Sequence, residues 1–68
     1  MPIIHVDMIK GRSSDSKRTF ATEVTELACR CFEVKPAQVR VIFHEIPREN
    51  WAVAGTLFSD KEESPSAS

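Results

Sequence analysis

The stretch Pro2-Ile3-Ile4-His5-Val6-Asp7-Met8-Ile9 follows directly on Met1. In an extended backbone Ile4, Val6 and Met8 share one face, and Ile3, His5, Asp7 and Ile9 the other. That is the period of a half-buried strand. Lys10-Gly11-Arg12-Ser13 reads as a turn. Ser13, Ser14 or Asp15 can cap a following helix by accepting an orphan N–H. Phe20, Val24, Leu27, Ala28 and Cys31 then recur at helical spacing and form one apolar stripe, with Arg18, Glu23, Glu26 and Arg30 off it. Glu26 and Arg30 form a favourably oriented i,i+4 pair. Pro36 ends this helix near Phe32 or Glu33 and pushes Lys35 to extended geometry. A second alternating strand runs from Val39 to Ile46 and stops at Pro47. A strand, a helix of about 18 residues and a strand predict a β-α-β unit, with parallel strands and a right-handed crossover. Residues 48–58 hold a turn and a short hairpin, so the fold class is α+β. Residues 59–68 have the polar, proline-containing composition of a disordered tail, which sets the domain at 1–58.

Sixty-eight residues make one small domain. A chain of this size buries only about 60% of its extended surface, so it needs disulfides, a metal or partner subunits. Cys29 and Cys31 point roughly 200° apart on a helix and cannot bridge each other. Cys31 falls on the apolar stripe and Cys29 on the opposite side. No Cys/His cluster has zinc spacing, and His5 and His44 read as separate surface or interface residues. Oligomerisation is left as the source of stability. A net charge of −1 argues against nucleic-acid or anionic-membrane partners. No apolar run approaches the roughly 18 residues of a membrane span, and no signal peptide precedes the strand. A reduced, cytoplasmic setting fits.

Removal of Met1, which the small Pro2 permits, exposes a secondary amine held in a rigid ring. The strand behind it ties the terminus down, whereas free chain ends usually fray. An end built into a strand suggests a placed group; on Met1-Pro2 alone, the competing reading is that Pro2 is an ordinary second residue.

Four separated features then fall in register. Pro2-Ile3 is followed by Gly11-Arg12-Ser13, then by a helix of matching length. Val39-Arg40-Val41-Ile42 comes next, with Glu45 after it. Last is the aromatic Trp51, followed by Gly55 and Leu57. With these the chain resembles the 4-oxalocrotonate tautomerase family from Pro2 to about Leu57. The resemblance implies a β-α-β unit with a C-terminal hairpin, two units pairing into a four-stranded sheet with two helices, and three dimers forming a homohexamer. It also implies a cofactor-independent enzyme that moves a proton within a small unsaturated 2-hydroxy or 2-oxo acid. Position by position, Pro2 is the general base, Arg12 and Arg40 bind the anionic substrate, and Trp51 stands where the family usually has a phenylalanine. No cofactor or metal is implied. Two departures stand out. The family's glycine-rich stretch is here Ala52-Val53-Ala54 with Gly55 kept, which removes positive-φ options and predicts a differently shaped hairpin. The tail is acidic where the family tends to be basic.

The chemistry suits these residue types. Proton transfer works best with a base whose pKa lies near the working pH. A free α-amine starts at about 7.7–8.0, with a secondary amine higher. Apolar walls and neighbouring arginines would lower it. Arginine presents a fork that clamps a carboxylate and stabilises charge developing on oxygen. An indole excludes water and also suits a subunit interface. Two alternatives stay open. A haloacrylate dehalogenase or hydratase needs a carboxylate and an extra arginine, where this chain has Val53 and Ile9. A catalytically degraded subunit of a hexamer is the other.

Overall fold

The computed structural model describes residues 1–61. Strand β1 spans Ile3–Ile9, helix α1 Ser14–Phe32 and strand β2 Arg40–Ile46. β1 and β2 are parallel, with Ile3 opposite Arg40 and Ile9 opposite Ile46. Backbone bonds close both ends of the ladder: Arg40 N–H donates to the Pro2 carbonyl at 3.0 Å, and Lys10 N–H to the Ile46 carbonyl at 3.1 Å.

Local chemistry sets the helix ends. Ser13 is extended, and its hydroxyl accepts the Ser16 N–H at 3.1 Å, so one orphan donor is satisfied. Glu33 closes the C-terminus in the left-handed region at φ 55. Lys35 is extended ahead of Pro36, and Pro36–Gln38 form a 3-10 turn rather than more helix. The ion pairs that form on α1 are Asp15–Arg18 and Lys17–Glu45; the second ties the helix to β2.

The helix faces the sheet with a different side from the one its apolar spacing predicts. Its covered positions are Lys17, Ala21, Val24, Thr25, Ala28 and Cys29, a rotation of about 75° from the expected stripe. Phe20 reaches Phe43 edge-on, with ring centroids 6.0 Å apart, yet it and Leu27 remain 44% and 48% exposed. Cys29 is half-buried and Cys31 exposed, which reverses the expected sides of the two free thiols. The reason is width. Two strands about 4.8 Å apart make a platform no broader than one helix, so part of the apolar stripe overhangs it.

A single chain therefore has almost no interior. Among the described residues only Ile9, Ala28 and Val39 are buried apolar positions, and no side chain is completely enclosed.

Beyond β2 lies a small closed unit. Arg48–Asn50 form a 3-10 turn, strands β3 (Ala52–Val53) and β4 (Thr56–Leu57) pair antiparallel, and Phe58–Asp60 form another 3-10 turn. Arg48 donates to the Phe58 carbonyl at 3.1 Å, and its guanidinium stacks 5.2 Å from the Phe58 ring. The Lys61 ammonium lies 5.3 Å from the same ring. This second turn carries ordered backbone past residue 58. Residues 62–68, which hold the rest of the expected polar tail, lie outside the described residues.

The two-residue hairpin loop uses positive φ at both positions, 54° at Ala54 and 84° at Gly55, as a primed turn requires. Ala54 thus adopts the backbone that its Cβ was expected to exclude. Cross-strand pairing and the Phe58 N–H to Trp51 carbonyl bond at 2.7 Å hold the register in place. Ala54→Gly should remove the left-handed penalty at the cost of a more flexible unfolded chain. The net gain should be about 0.5–1 kcal/mol, read as a higher urea midpoint at fixed protein concentration. A lowered midpoint would show that the turn carries no strain.

Candidate active site

Pro2 is half-buried at the start of β1. Its carbonyl is tied to the Arg40 N–H, so the ring sits beside the first residue of β2. Met1, attached to the Pro2 nitrogen, is 68% exposed. The Arg40 side chain lies on the sheet face away from α1, because Val39 and Val41 turn inward. Its Nη1 donates to the Ala37 carbonyl at 2.8 Å. A guanidinium has five N–H donors, so most of the fork remains available to an anion.

Arg12 lies beyond the opposite end of β1. It borders a cleft of about 220 Å³ between helix and sheet, together with Met8, Ser16, Phe20 and Phe43. Trp51 follows the same end of β2, since Ile46 pairs with Ile9. It is half-buried, with its N–H on the Arg48 carbonyl at 3.3 Å. Seven strand residues separate the two ends by about 23 Å. One chain therefore gathers Pro2 and Arg40 at one end, while Arg12 and the Trp51 segment belong to the other. The four residues singled out in the sequence do not meet within a single copy.

The Pro2 end sets a ring nitrogen, bonded to Met1, on the same ladder end as a cationic fork of the neighbouring strand. A family model for tautomerase enzymes matches residues 2–61. The chain belongs to the tautomerase family. It is an enzyme of the 4-oxalocrotonate tautomerase type, and its β-α-β unit with a short C-terminal hairpin is the tautomerase fold. The crystal structure of a 4-oxalocrotonate tautomerase homologue superposes with a TM-score of 0.89 at 40% identity, over 93% of this chain and 100% of that one. The 2-hydroxymuconate tautomerase of Comamonas testosteroni is 36% identical over 55 residues, 81% of this chain and 87% of its own. A heterohexameric 4-oxalocrotonate tautomerase from Chloroflexus aurantiacus matches with a TM-score of 0.83 at 31% identity, over 91% and 100% of the two chains.

This tautomerase also holds a constellation that sequence reading missed. His5 and His44, expected to stand apart, both reach Asp7. The signal was the strand register: two alternating parallel strands in this offset place residue 44 opposite residue 7. Among the described residues no helix is long and apolar enough to cross a membrane.

Proposed function

We propose that the protein interconverts the enol and keto forms of a small unsaturated 2-hydroxy or 2-oxo acid, without a cofactor, as a homohexamer. Pro2, freed of Met1, is the general base. Its amine takes the proton of the enol hydroxyl, the electron pair forms the carbonyl, and the double bonds shift along the chain. The ammonium then returns that proton to the distal carbon, so the base is regenerated and the net change is an isomerisation. Arg40 and Arg12 hold the carboxylate and the oxygen that gains charge. Trp51 supplies an apolar wall that excludes water and strengthens those charge effects.

The observation that carries this proposal is the Arg40 N–H to Pro2 carbonyl bond at 3.0 Å. It fixes the Pro2 ring, whose nitrogen becomes the terminal amine once Met1 is removed, beside a strand arginine. The likeness to a 2-hydroxymuconate tautomerase supports a dienol acid as substrate. The shortage of buried apolar residues in one chain supports an obligate assembly. Dehalogenation gains no support: Val53, apolar and 49% exposed, cannot accept a proton, and Ile9 is buried.

The test is ketonisation of 2-hydroxymuconate, followed by absorbance, with the wild-type chain and Arg40→Ala. The variant should lose roughly 10²-fold in turnover, the cost of removing one oxyanion donor, with unchanged sedimentation. Equal kinetics would remove Arg40 from the site. A wild-type chain that assembles alone yet turns over no enol acid would favour the degraded-subunit reading.

A further inference from the structure

His5 and Asp7 lie two residues apart on β1 and so share one face of the sheet. The register sets His44 of β2 opposite Asp7 on that same face, away from α1. His5 Nε2 is 3.3 Å from Asp7 Oδ1, and His44 Nδ1 is 3.2 Å from that same oxygen. The three ligand atoms all lie within 4.8 Å of one another. The imidazole rings meet edge to face, with centroids 6.1 Å apart. These are the only two histidines in the chain, and each comes from a different strand. None of the three belongs to the proposed proton-transfer site.

We propose that His5, Asp7 and His44 form a binding site for a divalent transition-metal ion of the zinc class. Metal–ligand bonds of about 2.0–2.1 Å in tetrahedral array put neighbouring ligand atoms about 3.3 Å apart. Two of the three edges here already have that length. The third, between the two imidazole nitrogens, is within 4.8 Å. Two imidazole nitrogens and one carboxylate select zinc, cobalt, nickel or copper over magnesium or calcium, which prefer all-oxygen sets. Three protein ligands leave a fourth position for water. The side chains of His5, Asp7 and His44 are 54%, 59% and 64% exposed in the single chain. The bound ion would clip β1 to β2 through side chains, in addition to their backbone ladder.

The competing description is a hydrogen-bonded trio in which Asp7 accepts from both imidazoles and no metal binds. Titrating the full-length assembled protein with Co²⁺, and then with Zn²⁺ as competitor, separates the two. The expected result is the visible absorption of four- or five-coordinate cobalt, saturating at one ion per chain and displaced by Zn²⁺. His5→Gln and His44→Gln should each weaken binding by at least about tenfold, since even outer-shell changes cost 10–100-fold. The imidazole NMR signals of both histidines should move with added Zn²⁺. Wild-type protein without a saturable cobalt band would overturn the proposal. So would variants that bind as well as wild type, or an intense sulfur-to-cobalt band assigning the ion to Cys29 or Cys31. If a variant fails to assemble, the wild-type NMR titration decides: both imidazoles shifting supports the site, and either one unmoved rejects it.

Discussion

A chain that keeps Met1 is expected to turn over an enol acid about 10²–10⁴-fold more slowly than the processed chain, the range that general acid–base catalysis supplies. With Met1 in place the Pro2 nitrogen belongs to a peptide bond. Its lone pair is delocalised into the carbonyl, and it has no useful basicity. Met1 would also stand where the substrate must approach. Folding should be unaffected. The bond that anchors this end uses the Pro2 carbonyl and the Arg40 N–H, groups present in both forms, and Met1 is largely exposed. The two species should therefore sediment alike and differ only in activity. Mass spectrometry of each preparation, set beside its rate, makes the comparison, with an uncleaved N-terminal extension as the blocked form. The processed enzyme should also lose activity as pH falls and its amine becomes an ammonium, since only the neutral amine can accept the enol proton. Blocked chains that match the rate of processed ones would exclude Pro2 as the base.

The elements were legible because their signals are local. Alternation from Ile3 to Ile9 and from Val39 to Ile46, the Ser13 cap and Pro36 each act over a few residues. What escaped depends on more than one element. The choice between Cys29 and Cys31 as the covered thiol follows from the width of the sheet under α1, which no helical period reports. The positive φ of Ala54 follows from hairpin closure overriding an intrinsic preference of about 1–2 kcal/mol. The His5–Asp7–His44 cluster appears only once the parallel register is known. The candidate site was half legible. Motif matching named Pro2, Arg12, Arg40 and Trp51 together, but the length of β1 assigns them to opposite ends of the β1–β2 ladder. A motif can say which residues share a task, whereas strand geometry decides how many copies are needed to bring them together.

That geometry leads to a second large effect, a rescue. If each site takes Pro2 from one chain and Arg12 from another, two inactive chains should restore each other. One parent carries a blocked N-terminus and an intact Arg12. The other carries a free Pro2 and Arg12→Ala, which should cost roughly 10²-fold through loss of a charge-assisted contact. Because a single chain buries so little, subunits should exchange only when the two parents are unfolded and refolded together or co-expressed. In a random equal mixture, about one quarter of the sites of a symmetric oligomer would then receive an intact residue from both sources. Activity should rise from near background to about a quarter of wild type, and mixing without refolding should give no gain. A site built from one chain predicts the opposite, since every chain in the mixture lacks one of the two groups. Co-refolded mixtures no more active than their parents would thus place Pro2 and Arg12 in the same subunit's site, or take Arg12 out of it. The about 23 Å between the two ends of β1 argues for the rescue, because a short dienol acid cannot bridge that distance.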